Sequence, residues 1–337
     1  MAKKIVVLGA GSIGTYVGGR LLSSSAEITF LGRERLQKAV QANGLNLSDC
    51  HGFQQRIPSD KVNVSTDESV LSEADIILVA VKSKDTPTSA ETIKQYARAD
   101  ALVVSLQNGI YNADRIAEIC PQQVLAGMVP FNVVWRDNAS FHQGTEGHVI
   151  IESRDGLEAD LKTIFKEANY RVGFHREMKN VMWSKLLLNM SNGVNCLAGV
   201  PLLTGLSNTS YRRAMALCMS EAISLLRKAG IKTVAIGGTP VVLVPYVLRL
   251  PTPLFRVVAK AMLTIDPNAR SSMLDDLEQG REPEVDYING EVVRLAEQLG
   301  LSAPVNTNVC QLVMAAHESG QGSPNIPLSE LDQIIRQ

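Results

Sequence analysis

Short apolar runs alternate with amphipathic segments in the first half of the chain, and the two patterns predict strands and helices in turn. The predicted strands are Lys3–Leu8, Glu27–Leu31, Ile76–Val81, Leu102–Leu106, Gln123–Val129 and Gly147–Glu152. The predicted helices are Ser12–Leu22, Glu91–Arg98 and Asn112–Ile119, with a small hairpin predicted at Leu45–Arg56. The run IILVAV at 76–81 is uninterrupted, as in a strand covered on both faces. The repeats therefore predict βαβ units around a parallel sheet.

The pattern changes near residue 176, after which the long segments follow a helical period. The predicted helices there are Asn180–Ala198, Tyr211–Ala229, Ser271–Gln279, Val285–Leu299 and Asn306–Ser319. The sequence therefore predicts two domains, an α/β domain over residues 1–176 and an all-α domain over residues 177–337. Two domains also suit the length of 337 residues, because a domain takes roughly 100–200.

One apolar stretch, Val234–Ile265, is interrupted by prolines and by Arg249, Arg256 and Lys260. A membrane-spanning helix needs about 20 mostly apolar residues. The stretch therefore predicts buried, kinked helices, with membrane contact as the alternative, and we expect no membrane partner.

Composition excludes several classes of protein. The net charge of -1 supplies no strong field for nucleic acid, so we expect no nucleic-acid partner. The five cysteines and five histidines are scattered without metal-ligand spacing, so we expect no metal site. Scattered cysteines, odd in number, favour a reducing, cytoplasmic location. The sequence leaves the oligomeric state open, and a homodimer is the candidate assembly.

A GxGxxG motif, Gly9-Ala10-Gly11-Ser12-Ile13-Gly14, joins the first predicted strand to the first predicted helix. In this position Gly9 allows a tight turn, Gly11 lets a pyrophosphate approach the backbone, and Gly14 lets the helix pack on the strand. The first helical turn, with Ser12 and Ile13, offers N–H groups and a positive dipole to phosphates. The motif predicts a Rossmann, doubly wound dinucleotide-binding domain, with a purely structural glycine turn as the alternative.

The second predicted strand, EITFL, ends in Gly32-Arg33-Glu34-Arg35. NAD-binding domains usually carry an acid here for the ribose hydroxyl, whereas a guanidinium suits the 2′-phosphate of NADPH. Arg33 therefore favours NADPH, and Glu34 turning inward as the NAD acid is the alternative.

Two further polar residues follow predicted strands. Lys82 comes after IILVAV, and Asn108 comes after the strand at 102–106. Ligands of such sheets bind outside the carboxyl ends of the strands, so both side chains are candidates to face cofactor or substrate. A charged loop and an ordinary Asn-Gly turn are the alternatives.

A lysine and two asparagines share one face of the predicted helix at 180–198. Lys185, Asn189 and Asn192 follow the spacing i, i+4, i+7. The surrounding apolar residues are Trp183, Leu186, Leu187, Leu188, Met190 and Val194. Burying polar groups is costly unless they are satisfied, so this face should meet a polar cavity; a solvent-exposed face is the alternative. An ammonium in that cavity could stabilise charge on a carbonyl oxygen and donate a proton to it.

Together these motifs resemble the ketopantoate reductases (2-dehydropantoate 2-reductases) over nearly the whole chain. The segments that carry the resemblance are GAGSIG at 9–14, GR at 32–33, VAVKSKDT at 79–86, LQNG at 106–109, WSKLLLN at 183–189 and SSMLDDLEQGREPEVDYINGEVV at 271–293. The resemblance implies a Rossmann domain followed by a helical domain like that of 6-phosphogluconate dehydrogenase. It also implies NADPH-dependent reduction of ketopantoate, a small 2-oxo acid, to pantoate on the path to pantothenate and coenzyme A.

The resemblance further implies roles for single residues. For the cofactor end they are Gly9, Gly11, Gly14 and Arg33 on NADPH, with Lys82 and Asn108 lining the cleft for cofactor and substrate. For the substrate end, Lys185 would be the general acid and Asn189 an orienting amide. Ser272 would bind the substrate's carboxylate end, and Glu284 would hold the hydroxyl or help to position Lys185.

Three departures from the family pattern fall at the substrate end. They are Pro283 in place of a threonine, Gly193 in place of a second helix asparagine with Asn192 and Asn195 as substitutes, and Ala269 in place of an asparagine with Asn268 beside it. These departures leave open a related reductase acting on another oxo acid, ketone or imine. A non-catalytic NADPH-binding sensor is the remaining alternative.

Overall fold

The computed structural model describes residues 2–236, 238–263, 267 and 269–336, with 261 and 262 described by their backbone alone. These residues form two compact units, Met1–Met178 and Lys179–Gln337. The N-terminal unit is an α/β structure and the C-terminal unit is helical.

A parallel sheet forms the centre of the N-terminal unit. The strands of this unit are β1 (Lys4–Leu8), β2 (Glu27–Leu31), β3 (Leu45–Asp49), β4 (Gln54–Ile57), β5 (Asn63–Ser65), β6 (Ile76–Val79), β7 (Leu102–Ser105), β8 (Gln123–Met128), β9 (Val133–Arg136), β10 (Ser140–Gln143), β11 (Val149–Glu152) and β12 (Val172–His175). The main sheet has the order β12-β11-β8-β7-β6-β1-β2-β5, and only the β8–β11 pair is antiparallel. The strands β4-β3-β10-β9 form a second sheet.

Helices cover both faces of the main sheet. They are α1 (Ser12–Leu21), α2 (Glu34–Asn43), α3 (Thr86–Tyr96), α4 (Asn112–Ile119) and α5 (Ala159–Glu167), with short 3-10 helices at Ser59–Lys61, Glu68–Glu73 and Ser83–Asp85. Along β1, Ile5 and Val7 join a core with α1, α5 and the second sheet, whereas Val6 and Leu8 join a core with α3 and α4. Because successive strand residues point to opposite faces, a sheet covered on both sides buries every position.

Most elements predicted for this unit are confirmed. The strand Glu27–Leu31 and the helix Asn112–Ile119 have the predicted bounds, and β6 is buried at all four positions. The sequence did not predict α2, α5, β5, β9, β10 or β12. The helix α2 was missed because its apolar pattern is weak: only Leu36 and Val40 of its ten residues are buried.

Helices and one very short β-ladder make up the C-terminal unit. The helices are α6 (Met178–Asn189), α7 (Ser191–Ala198), α8 (Leu202–Ser207), α9 (Thr209–Lys228), α10 (Val244–Leu248), α11 (Thr252–Val258), α12 (Ser272–Glu278), α13 (Asn289–Gln298), α14 (Pro304–Ser319) and α15 (Leu331–Ile334), with 3-10 helices at Val241–Leu243, Lys260–Leu263 and Glu284–Tyr287. The ladder pairs β13 (Ala235–Ile236) with β14 (Thr239–Pro240). The predicted helix at 180–198 is divided at Met190, and the one predicted at 285–299 begins as a 3-10 helix.

The long helix α9 is the centre of this unit and packs against α7, α8, α10, α13, α14 and α15. Its Arg212 is fully buried, with the guanidinium 4.3 Å from the centre of the Phe255 ring. The acceptors of its hydrogen bonds are Leu206 O at 2.9 Å, Leu248 O at 3.1 Å, Leu250 O at 3.1 Å, Thr209 Oγ1 at 3.3 Å and Thr252 Oγ1 at 3.2 Å. A buried charge is tolerated only when it is hydrogen-bonded, and these bonds fasten α8, α10 and α11 to α9.

The apolar stretch at 234–265 is only partly buried. Val241, Val244, Leu248 and Phe255 are in the core, whereas other apolar side chains face outward. The exposed ones are Leu243, Tyr246, Leu254, Val257 and Val258, and Val257 reaches 76% exposure. The prediction that this stretch is buried is therefore wrong for these side chains. Among the described residues, no helix has the length and apolar character needed to cross a bilayer.

Candidate active site

The glycine motif forms the turn between β1 and α1. Gly9 has φ +91°, and a Cβ on it would lie 2.6 Å from the backbone nitrogen of Val81. A Cβ on Gly14 would lie 2.6 Å from the carbonyl oxygen of Gly9, whereas a Cβ on Gly11 would meet nothing within 4 Å. The N-cap residue of α1 is Gly11, which has no side chain to cap the helix, and the first turn holds no acidic residue. The turn is thus closed on its inner side and open at Gly11, as binding of a pyrophosphate to backbone N–H groups requires.

Arg33 is exposed and stands at the start of α2, directly after the end of β2. As the N-cap residue, Arg33 does not cap this helix with its own side chain. The carboxylate of Glu34 lies 2.9 Å from the ammonium of Lys38, one turn further along the helix. The guanidinium of Arg35 lies 4.4 Å from the ring centre of Trp135 on β9. The first charged group beyond the strand is therefore a cation at a helix N-terminus, and the neighbouring acid is paired on the helix surface.

The residues of this unit that were predicted to bind or face the cofactor all follow strands at one edge of the sheet. The strands β7, β6, β1 and β2 are consecutive neighbours, and all four run parallel. Their carboxyl ends are followed, in that order, by Asn108, Lys82, the Gly9 turn and Arg33. Asn108 is exposed and Lys82 is half-buried. In open parallel sheets this edge is where ligands bind.

A set of buried polar residues under this edge was missed by the sequence analysis. Its members, called the rim network below, are Ser83, Thr86, Ser105, Gln107 and Asn112, each no more than 6% exposed. The signal that could have revealed them is a cluster of uncharged polar residues within and just after two neighbouring apolar strands.

In the helical unit, Lys185 and Asn189 both lie on α6, and both are half-buried. Of the apolar neighbours named from the sequence, Leu188 is half-buried and the others are buried. Burial lowers the pKa of Lys185 from 10.5 to about 8. An amine in such surroundings can lose its proton near pH 8, which ordinary surface lysines do not do.

The two asparagines considered as substitutes on α7 differ in their surroundings. Asn192 is half-buried in the first turn of α7, one helix beyond Lys185. Asn195 is fully buried; its amide donates to Val200 O at 2.8 Å and its carbonyl oxygen accepts from the Ser271 N–H at 3.0 Å. Asn195 therefore holds α7 against the start of α12. The interpretation of Asn195 as a substitute for the family's second helix asparagine is wrong, because its amide and its carbonyl oxygen are both bonded within the protein.

Gly193 lies against α13 and α14. A Cβ at this position would lie 2.7 Å from Val309 Cγ1 and 2.9 Å from Asn289 Oδ1. Even an alanine here would displace its neighbours, so the family's second asparagine cannot occupy this backbone as it stands.

Ser272 is exposed at the first position of α12. The N-cap of this helix is its buried neighbour Ser271, whose Oγ accepts from the Leu274 N–H at 3.2 Å. Because the Ser271 hydroxyl is committed to the cap, Ser272 is the hydroxyl presented at this helix end. The Asn195 bond to the Ser271 N–H brings this end of α12 to α7.

Glu284 is half-buried and begins the 3-10 helix Glu284–Tyr287, which packs on α13 and α14. Pro283 before it is buried and occupies the N-cap position. Of the other two positions singled out near the serine, Ala269 accepts a backbone bond from Leu202 at 2.8 Å, and Asn268 lies outside the described residues.

Comparison with known proteins gives matches for both halves of the chain. The family described as ketopantoate reductase PanE/ApbA matches residues 5–156, and the family described as ketopantoate reductase PanE/ApbA C terminal matches residues 177–317. A 2-dehydropantoate 2-reductase of Archaeoglobus fulgidus is 26% identical over 328 residues, covering 94% of this chain and 99% of that protein.

Solved structures resemble the chain in fold. A PanE/ApbA family ketopantoate reductase from Ralstonia eutropha JMP134 matches with a TM-score of 0.80 at 28% identity, covering 94% of this chain and 99% of the other. A ternary structure of D-mandelate dehydrogenase with NADH and anilino(oxo)acetate matches with a TM-score of 0.74 at 20% identity, with the same two coverages. At 20% identity the second likeness concerns the fold alone.

Proposed function

Because the chain belongs to the ketopantoate reductase PanE/ApbA family of oxidoreductases, we propose that it reduces 2-dehydropantoate (ketopantoate) to pantoate with NADPH as the hydride donor. In this proposal residues 1–176 bind the cofactor, and residues 177–337 carry the catalytic and substrate-binding side chains. The observation that carries it is Lys185, an amine on a largely buried helix whose pKa is lowered to about 8.

The N-terminal unit supplies the groups that would hold NADPH. The open backbone at Gly11 and the first helical turn with Ser12 and Ile13 would bind the pyrophosphate. Arg33 would pair with the 2′-phosphate, since it is the first charge after β2 and the neighbouring acid Glu34 is paired with Lys38.

When bound, the reduced nicotinamide supplies the hydride that the carbonyl carbon of the substrate accepts. Lys185, as the ammonium, would donate a proton to the carbonyl oxygen as negative charge develops there. A pKa of about 8 keeps the amine protonated at pH 7 and leaves it a stronger acid than an exposed lysine. The proton moves from Nζ to oxygen, so the substrate gains one hydride and one proton and becomes a hydroxy acid.

The remaining candidates would bind and orient the substrate. Asn189, one turn from Lys185 on α6, and Asn192 on α7 would donate to it through their amides, and Ser272 would bind its carboxylate. Glu284 would accept a hydrogen bond from the substrate hydroxyl or position Lys185. The cofactor-end residues Lys82 and Asn108 would face the same reacting groups.

A second candidate is reduction of another 2-oxo acid by the same machinery. It is favoured by Gly193, where a Cβ would lie 2.7 Å from Val309 Cγ1 and 2.9 Å from Asn289 Oδ1, so the amide that the family pattern places there does not fit without displacing them. The cofactor and Lys185 would keep their roles under this alternative.

Steady-state oxidation of NADPH with a panel of 2-oxo acids tests the proposal, with NADH in parallel. We expect kcat/KM to be highest for ketopantoate with NADPH. If ketopantoate is turned over no better than unrelated 2-oxo acids, the result would favour the second candidate, reduction of another 2-oxo acid. If the protein binds NADPH but oxidises it with no substrate of the panel, both reductase candidates would be contradicted. A non-catalytic nucleotide-binding sensor would then be the remaining function.

A further inference from the structure

The rim network is a continuous chain of hydrogen bonds that ends on the main chain of Asn108. Starting inside β7, the Ser105 hydroxyl donates to Gln107 Oε1 at 3.0 Å, and Gln107 Nε2 donates to the Thr86 hydroxyl at 2.7 Å. The Thr86 hydroxyl in turn donates to Asn112 Oδ1 at 3.1 Å. Each of these contacts joins buried side chains, so a misplaced partner could not be replaced by bulk water.

From Asn112 the chain reaches the sheet edge by two routes. Asn112 Nδ2 donates to the Ser83 hydroxyl at 3.0 Å and also to the Asn108 carbonyl oxygen. The Ser83 hydroxyl donates to the same carbonyl at 3.1 Å. The carbonyl of Asn108 thus accepts two hydrogen bonds from buried donors, which fixes the backbone that carries the Asn108 side chain.

The same chain also fixes the backbone around Lys82. Gln107 Nε2 donates to the carbonyl oxygen of Val81 at 3.2 Å, immediately before Lys82. Ser83, immediately after Lys82, is held by Asn112 and Asn108. Both sequence neighbours of the lysine are therefore tied to the loop after the adjacent strand.

Every hydrogen bond along the network is donated in the same direction, from Ser105 towards the carbonyl of Asn108. The donor and the acceptor of each bond are therefore fixed. Each amide nitrogen has an acceptor for both hydrogens, and each hydroxyl in the middle of the chain both accepts and donates. Buried networks in which every member is satisfied rigidify their surroundings, and sites held by such a supporting layer keep their geometry.

We infer that the rim network positions Asn108 and Lys82 at the carboxyl edge of the sheet and thereby sets the alignment of cofactor and substrate. This inference rests on the proposed function, in which those two side chains face the reacting groups. The network residues are positioning residues, because they act through Asn108 and Lys82 and need not touch either ligand themselves.

The decisive variant is Thr86→Val, which removes the central hydroxyl and keeps the branched shape, with Thr86→Ser restoring the hydroxyl. We expect Thr86→Val to lower kcat about ten- to hundred-fold, as displacements near 1 Å do. The Kd for NADPH should change less than about three-fold, since the glycine turn and Arg33 are untouched. Thr86→Ser should recover most of kcat. Loss of kcat in both variants to the same extent would overturn the role of the hydroxyl.

A matched pair of glutamines separates positioning from general destabilisation. Gln122 is also buried, and its Nε2 donates to Ala97 O at 3.3 Å and Arg98 O at 3.2 Å, near the start of β8 at the opposite sheet edge. Gln107→Leu should lower kcat as Thr86→Val does, whereas Gln122→Leu should lower Tm without lowering kcat. Equal effects of both on kcat would contradict the inference.

A double-mutant cycle tests whether the network acts through Asn108. In an Asn108→Ala background, Thr86→Val should lower kcat by a smaller factor than it does alone, because one of the two side chains that the network positions is gone and only the effect through Lys82 remains. Full multiplication of the two effects would overturn the inference.

Hydrogen exchange distinguishes failure of this inference from failure of the proposed function. In the protein without ligands, Thr86→Val should speed amide exchange in 81–86 and 106–112, and Gln122→Leu should not. Unchanged exchange in both segments would overturn the network's role whatever the activity. If the wild type reduces none of the oxo acids, the proposed function fails, and the exchange result alone then decides whether the network holds this edge.

Discussion

Replacing Lys185 by methionine should make the protein more stable while removing most of its activity. Burial lowers the pKa of this amine from 10.5 to about 8. Because each pKa unit corresponds to about 1.4 kcal/mol, keeping the ammonium charged at pH 7 costs the folded state about 3 kcal/mol. Methionine has a similar length and no charge, so Lys185→Met should raise the free energy of unfolding by up to about 3 kcal/mol at pH 7.

The sign of the pH dependence follows from the same two pKa values. Between pH 8 and 10.5 the unfolded chain still binds a proton at this lysine that the folded chain has released. The stability of the wild type should therefore rise across that window relative to the variant, and the difference between them should be constant below about pH 8. The advantage of Lys185→Met should thus be largest at pH 7 and nearly absent at pH 10.5.

The assay is urea unfolding followed by tryptophan fluorescence at pH 7 and pH 10. The chain has two tryptophans, Trp135 and Trp183, and Trp183 is fully buried on the helix that carries Lys185. In a Trp135→Phe background the fluorescence reports the helical unit alone. A variant no more stable than the wild type at pH 7 would refute the charge penalty.

The activity of the same variant tests the role of the amine. Lys185→Met should lose most of kcat with NADPH affinity nearly unchanged, since the cofactor groups lie on the other unit. For the wild type, kcat should fall as the pH rises through about 8, because the proton donor is then lost. A mild effect of Lys185→Met on kcat would remove the lysine from its proposed role.

Three further variants follow from single contacts. Arg33→Ser should raise KM for NADPH about ten-fold or more and leave KM for NADH nearly unchanged, so an equal rise for both would count against a 2′-phosphate contact. Gly14→Ala should weaken NADPH binding at least about ten-fold in a fluorescence titration, because its Cβ would lie 2.6 Å from the Gly9 carbonyl oxygen; normal binding would contradict the proposed turn. Arg212→Met should lower the unfolding free energy by about 2 kcal/mol or more in guanidinium titrations, because buried acceptors lose their donors, whereas exposed Arg213→Met should change it by less than about 0.5 kcal/mol.

Elements with a strong local pattern were predicted well. The uninterrupted apolar run at 76–81 forms the buried strand β6 over Ile76–Val79, and the predicted glycine turn stands before α1. Elements with few buried residues were missed, among them α2, and β12, where every residue is half-buried. Their stability comes from neighbours that local periodicity does not register.

The placement of the cofactor-end candidates followed from one topological rule. Arg33, Lys82 and Asn108 were selected because they follow predicted strands, and parallel strands end at the same sheet edge. No comparable rule predicts which side chains of the helical unit lie close together. The sequence offered Asn192 and Asn195 as equal substitutes, and the structure buries Asn195 in bonds to Val200 and Ser271.

The sequence by itself determined the strands and helices that have a strong local pattern, where the glycines interrupt them, and which residues are candidates for chemistry at strand ends and on one helix face. These properties depend on residues within a few positions of each other. Only the tertiary structure decided which polar groups are satisfied. The bond between Gln107 and Thr86 spans 21 positions, and that between Asn195 and Ser271 spans 76. The lowered pKa of Lys185 is likewise a property of its surroundings, because the desolvation that causes it comes from side chains the fold brings around α6.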